Sequence, residues 1–325
     1  MSPEPRRLLI DTDTAGDDTQ AIVLAALSDR VTLEGLTIPA GNVPFDSQVE
    51  NAKYTLDLVG AADVPVYEGA RSPLLKGYKS AEYVHGEGGL GGELFPDTGI
   101  PSADEHAVDV IVRTARENPG EVTLACIAPL TNVALAYQRE PELPELLDEV
   151  WIMGGAVNTL GNITPAAEYN FWVDPDAARI VVDAFETTLV DWGLTLRDSL
   201  FDAEVFAEIE TVDTPLAEFF LTITGAVREF NAQSEHDSLG ADVTTQPDSL
   251  TLAALLEPDL VERAETYYME VDDREGPTRG YSLVDELGVT DGEPRTRVIE
   301  SADGEGFERM LLDVFRHGDP HYASR

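Results

Sequence analysis

Four aspartates, Asp11, Asp13, Asp17 and Asp18, follow directly on the apolar run Leu8, Leu9 and Ile10. Carboxylates this close together repel and raise one another's pKa unless a cation sits among them. A hard cation with oxygen ligands meets that need, so the spacing points to Ca²⁺ or Mg²⁺. A solvated helix N-terminus would account for Asp17 and Asp18 through the helix dipole. It would not account for Asp11 and Asp13, which adjoin the strand. An EF-hand loop is excluded, because the twelfth position counted from Asp11 is Ile22 instead of Glu.

Other polar residues recur where apolar runs end. Gly41 and Asn42 follow "LTIPA", "APLTN" follows "TLACI", "MGG" follows "EVWI", and "GNITPAAEYNFWVDP" runs from Gly161 to Pro175. Asp248 opens the helix-like "PDSLTLAAL". Taken singly, Asn42 reads equally well as a turn residue and Asp248 as a helix cap. Together they place amides and carboxylates, with few cations, around one acidic pocket. Such groups suit a neutral ligand with several hydroxyls and repel a phosphate.

The elements that must hold these residues follow from pattern. Strand-like runs ("RRLLI", "VTLEGLTI", "EVTLACIA", "EVWIMGG", "TTLVDWGL", "ETYYMEV", "RTRVIE") alternate with helix-like ones, the mark of βαβ units. The fold class expected is α/β, a mainly parallel central sheet flanked by helices with a Rossmann-like core. No repeat or Pro/Ser-rich linker divides the chain, so residues 1–325 are expected to form a single domain. In such sheets ligands bind beyond the C-terminal ends of strands, which is where the aspartates fall. The glycine-rich stretch 70–103 is long enough to be a lid.

Composition narrows the partners. The net charge is -41, from 62 acidic and 21 basic residues. No Lys/Arg cluster exists to neutralise a phosphate backbone, so nucleic acid is not expected as a partner. The acid is spread along the whole chain, as in proteins that work in concentrated salt, where screening offsets self-repulsion. No apolar run approaches the ~20 residues of a membrane span, and "MSPEPRR" leads into no signal-peptide core, so a cytoplasmic protein off the membrane is expected. The single cysteine, Cys126, lies in an apolar run and reads as core.

The motifs "DTDTAGDD", "GN…NA", "APLTN", "MGGA", "GNITPAAEYNFWVDPDAA" and "PDSLTLAALLEPDL" stand in the order seen in the inosine–uridine-preferring nucleoside hydrolase family, which the chain resembles over roughly residues 7–290. That resemblance implies hydrolysis of the N-glycosidic bond of ribonucleosides, one Ca²⁺ per subunit, and a homodimer or homotetramer. It implies Asp13 as metal contact and general base, with Asp18, Asp248 and the backbone carbonyl of Ile127 as further metal ligands. Asp17 and Asn42 would hold the ribose 2′-hydroxyl; Asn162, Glu168 and Asn170 would hold the 3′- and 5′-hydroxyls. Met153 and Tyr169 would line the sugar pocket, and Asp11 would orient the aspartate loop. The chemistry fits these residue types. Cleavage passes through an oxocarbenium-like sugar, whose positive charge an acidic pocket stabilises, and a metal lowers the pKa of attacking water.

Two departures stand out. The motif has "DTDTAGDD" where the family form is D-x-D-P-G-x-D-D, with the aspartate spacing intact. Many members have His before the last metal-binding Asp; here that residue is Pro247, which cannot titrate. The acid that protonates the leaving base is therefore unassigned: either no acid is used, with activation from solvent or stacking, or the candidates are His85, at the glycine-rich loop, and His236, twelve residues before Asp248, where an imidazole titrating near neutrality would serve. His106, His317 and His321 read as structural or solvated. Two alternatives remain at this level. One is a non-catalytic nucleoside or sugar binder. The other is a haloacid-dehalogenase-type phosphatase, which "DTDT" matches but whose downstream lysine is missing, since Lys53, Lys76 and Lys79 precede most of the fold.

Overall fold

The computed structural model describes residues 5–233 and 243–322. The chain opens with β1 (Arg6–Asp11), α1 (Asp18–Leu27), β2 (Val31–Ile38), α2 (Phe45–Leu58) and β3 (Val66–Glu68). A long connection carries α3 (Glu82–His85) and leads to α4 (Ala107–Glu117), β4 (Val122–Cys126), α5 (Thr131–Arg139), α6 (Leu143–Leu146) and β5 (Glu149–Met153). Next come α7 (Tyr169–Val173), α8 (Pro175–Ala184), β6 (Thr187–Val190), α9 (Trp192–Asp198), β7 (Leu200–Phe201), α10 (Ala203–Ile209) and α11 (Pro215–Gln233). The chain closes with β8 (Thr244–Thr245), α12 (Pro247–Leu256), β9 (Val261–Tyr267), β10 (Met269–Val271), β11 (Ser282–Val284), β12 (Thr296–Ala302) and α13 (Gly304–His317).

Eight strands form one sheet in the order β3-β2-β1-β4-β5-β6-β12-β9. Every pairing in it is parallel except β9 with β12. A strand with parallel neighbours on both sides is covered on both faces and must be apolar on both. Leu8, Leu9 and Ile10 meet that demand. Leu8 and Ile10 enter one apolar layer with residues of α1 and α12, while Leu9 enters the other with residues of α4, α5 and α8. Strand order reverses at β1, which lies between β2 and β4. That switch point leaves a crevice at the carboxyl ends of β1 and β4. Asp11 ends β1, and Ile127 directly follows β4 with its N–H donating to Asp11 O at 2.8 Å.

Several local expectations need correction. "TTLVDWGL" is not one strand: β6 stops at Val190 and Asp191 caps α9, its side chain accepting from the N–H groups of Gly193 and Leu194. "ETYYMEV" divides between the edge strand β9 and β10, which forms a hairpin with β11. The three-residue β3 is too short to give an alternating pattern, and it completes the sheet edge. Cys126 is free and buried, as expected. Among the described residues, no helix is long and apolar enough to cross a membrane.

Candidate active site

The aspartates gather at the switch point. Asp11, Asp13 and Asp18 are fully buried. Asp11 Oδ1 accepts from Thr37 Oγ1 at 2.5 Å and from Asn132 Nδ2 at 2.8 Å. Desolvation nevertheless pushes the Asp11 carboxyl up to about 7, those two hydrogen bonds opposing it. Asp13 Oδ2 accepts from the Asn42 N–H at 2.7 Å, while its Oδ1 is buried with no hydrogen-bond partner. Burial is the largest cause raising Asp13, followed by the charge of Asp18. Gly41 permits this approach, because a Cβ there would lie 1.9 Å from Asp13 Oδ2.

Asp18, the first residue of α1, accepts through Oδ1 from Thr12 Oγ1 at 2.6 Å. Its Oδ2 accepts from Ala15 N at 3.1 Å and from Asn42 Nδ2 at 3.4 Å. Burial and then the charge of Asp17 push Asp18 up to about 8. Asp17 Oδ2 accepts from the Asp248 N–H at 2.9 Å, and burial raises its carboxyl to about 6. Asp248 lies in the first turn of α12, and burial with the charges of Asp17, Asp18, Asp13 and Glu168 raises it well above the usual range. Among the described residues, Asp17, Asp18 and Asp248 each place a carboxylate oxygen within 4.8 Å of the others, close enough to share a cation. Asp13 is not in that closest trio, although it had been expected as a metal contact and Asp17 had not.

A cavity of about 530 Å³ opens beside the cluster. Asp17, Asn42, Ile127, Met153, Asn162, Glu168, Tyr169, Asn170 and Asp248 all line it, together with His85 and Pro247. Asp13 and Asp18 do not line it. Asn42 connects them to it, since its backbone bonds Asp13 and its side chain bonds Asp18. Glu168 caps α7, accepting from the N–H groups of Asn170 (2.7 Å), Gly155 (2.8 Å) and Phe171 (3.3 Å). Burial overrides those bonds and raises Glu168 to about 7. Asn170 Nδ2 faces the carbonyls of Met153 (3.2 Å) and Ile127 (3.5 Å). The Tyr169 hydroxyl lies 3.1 Å from the carbonyl of Gly41 and 3.0 Å from that of Lys79.

The histidines separate. His85 is half-buried at the cavity, with its Nδ1 buried and without a hydrogen-bond partner, and its ring packs on Gly16, where a Cβ would meet Nδ1 at 2.6 Å. Desolvation pushes its imidazole down to about 4, so the near-neutral titration expected from its loop position is not what burial produces. His236 lies outside the described residues. His106 caps α4, His317 stacks on Tyr322, and His321 is buried between Ser28 and Glu257. None of the three lysines lines the cavity.

Sequence reasoning did not find Thr12, Asn132 or Gly41 as supports of the carboxylates. Thr12 and Asn132 stand inside quoted motifs, yet their partners appear only once the strands are paired. Tyr83, Trp192 and Phe230, which no site motif marked, also line the cavity.

A family model described as inosine-uridine preferring nucleoside hydrolase matches residues 8–309. The pyrimidine-specific ribonucleoside hydrolase RihB of Escherichia coli is 33% identical over 314 residues, covering 96% of this chain and 98% of that protein. A plant nucleoside hydrolase structure superposes with a TM-score of 0.88 at 27% identity, covering 96% of this chain and 99% of that one. A purine-preferring ribonucleoside hydrolase from Gardnerella vaginalis gives 0.85 at 29% identity, covering 94% and 96%.

Proposed function

The chain belongs to the inosine–uridine-preferring nucleoside hydrolase family and is a nucleoside hydrolase; from that premise we propose that it cleaves ribonucleosides to ribose and free base with the help of one Ca²⁺ per subunit. The observation that carries the metal is Asp13 Oδ1, a buried carboxylate oxygen with no partner, beside three carboxylates that burial has pushed upward. Buried charge of one sign needs an opposite charge. A donor set made only of oxygens suits a hard cation. We assign its ligands to Asp13, Asp18, Asp248 and the Ile127 carbonyl, with Asp17 close enough to contribute. When bound, such a cation neutralises the cluster and makes water a better nucleophile.

The remaining steps belong to the chain's own residues. Asp13 takes the proton of the attacking water. Asp17, Asn42, Asn162, Glu168 and Asn170 hold the ribose hydroxyls, while Met153 and Tyr169 border the ring. Asp11 anchors the loop through Thr37 and Asn132. Their combined negative field stabilises the positive charge that grows on the sugar as the base departs. His85, held neutral by desolvation, meets the departing base as a hydrogen-bond donor; His236 as proton donor is proposed from the sequence alone. We further propose one domain over residues 1–325, a homodimer or homotetramer, a cytoplasmic site and adaptation to high salt, the last resting on the net charge of -41. The direct test of the activity incubates the protein with inosine and with uridine and measures free ribose. Release from at least one supports the reading, and release from neither overturns it.

A further inference from the structure

We propose that Asn51 is a positioning residue that clamps the aspartate loop to the glycine-rich segment, so that the carboxylate cluster and the segment beside the cavity are held as one body. The proposal rests on the catalytic reading of the cluster given above. Asn51 lies in α2 and is fully buried. Its Nδ2 donates to the carbonyl of Thr14 at 3.0 Å and to the carbonyl of Gly88 at 2.8 Å. Both partners accept only, so the amide must present its nitrogen to them. Thr14 stands between Asp13 and Asp17, and Gly88 stands in the segment that follows His85. One side chain therefore satisfies two loops that are remote in sequence, and neither carbonyl has water as an alternative.

Neighbouring contacts run in the same direction. The Gly16 N–H donates to the Gly89 carbonyl at 3.0 Å. Gly89 has φ +91°, and a Cβ there would lie 3.0 Å from Ala15 Cβ and 3.1 Å from Asn51 Nδ2. The segment is therefore seated on the aspartate loop at backbone distance. On its far side, a Cβ at Gly91 would lie 2.3 Å from the Thr222 carbonyl of α11. Tyr83 and Phe230 pack edge to face at 5.8 Å across the same junction and both line the cavity. The line of contacts thus runs from Thr14 through Asn51 and the glycines to the cavity wall. Fixing the Thr14 carbonyl fixes the backbone that carries Asp13 and Asp17, and reacting groups displaced by about 1 Å cost on the order of 10²-fold in rate.

The test is amide hydrogen exchange on the full chain, comparing wild type, Asn51→Asp and Gly89→Ala. Asn51→Asp keeps the shape but turns acceptors towards two carbonyls. Gly89→Ala wedges the loops apart and keeps the Asn51 amide. The clamp predicts that exchange in residues 12–18 and 85–92 rises together, by about tenfold or more, with α4 and α8 unchanged. It also predicts that kcat on uridine or inosine falls on the order of 10²-fold, because the backbone that carries Asp13 is loosened, with a smaller rise in KM from the displacement of Asp17. A rise confined to one segment, an unchanged kcat, or a loss confined to KM overturns it. If Asn51→Asp loosens α4 and α8 as well, Gly89→Ala decides by the same criteria. The exchange arm needs neither metal nor substrate. Failure of wild type to release ribose would therefore sink the catalytic reading while leaving the clamp to be judged on exchange.

Discussion

Gly41→Ala tests the role of Asp13 through sterics alone. The added Cβ would lie 1.9 Å from Asp13 Oδ2 and 2.6 Å from its Cγ. Ordinary contact requires more than 3 Å, so a displacement of about 1 Å is forced. Asp13 is fully buried and its Oδ2 already accepts from Asn42 N–H, leaving it no open space to enter. A general base moved by about 1 Å loses on the order of 10²-fold in kcat/KM, equivalent to about 2.7 kcal/mol of barrier. Overpacking of a rigid site costs about 1–3 kcal/mol of stability. The assay measures free ribose released from the preferred nucleoside, alongside a thermal melt. Gly225→Ala is the control, because nothing lies within 4 Å of its Cβ position in α11 and the substitution should stabilise the helix by about 0.5–1 kcal/mol. If Gly41→Ala keeps its rate within about threefold of wild type, Asp13 is not the base, or the reacting geometry does not depend on it.

Three further outcomes follow from the same structure. In metal-free protein, Asp11, Asp17, Asp18 and Glu168 have folded pKa values raised to about 7, 6, 8 and 7. The stability they contribute is complete below the unfolded carboxylate range and is lost as pH rises through those values. The chelated protein should therefore melt lower at pH 8 than at pH 5, with Ca²⁺ restoring most at pH 8; a Ca²⁺ effect independent of pH contradicts this. Melting temperature should rise steeply between dilute buffer and molar KCl, since salt screens repulsion among 62 acidic side chains; a flat profile refutes adaptation to salt. His85→Ala should slow inosine by about tenfold, the worth of one hydrogen bond to the departing base, and leave p-nitrophenyl riboside, whose leaving group needs no proton, nearly unchanged; equal effects remove His85 as the donor.

The sequence already displayed the main architecture where local pattern and tertiary demand coincide. Leu8, Leu9 and Ile10 had to enter a buried parallel strand, and the carboxylates behind them had to emerge at its C-terminal end. The same reasoning failed where non-local pairing decides. Asn132 reaches Asp11 across 121 residues and Asn51 reaches Thr14 across 37, distances at which spacing carries no signal. "TTLVDWGL" had strand composition, but Asp191 caps a helix and ends the strand at Val190. His85 was placed near the cavity by its loop, while the burial of its Nδ1, and hence its depressed pKa, depends on Gly16 and the packing of that loop.

The most direct test of the central claim is calorimetric titration of chelator-stripped wild type and Asp18→Asn with Ca²⁺, with ribose release measured on the same samples. Asp18 donates no proton in the reaction proposed, and its Oδ1 bond from Thr12 and Oδ2 bond from Ala15 leave charge as its main contribution to the cluster. The account predicts one Ca²⁺ per wild-type subunit, turnover restored in step with its binding, and both lost together in Asp18→Asn. Full ribose release from stripped wild type, or an Asp18→Asn protein that binds no Ca²⁺ yet turns over normally, would contradict it.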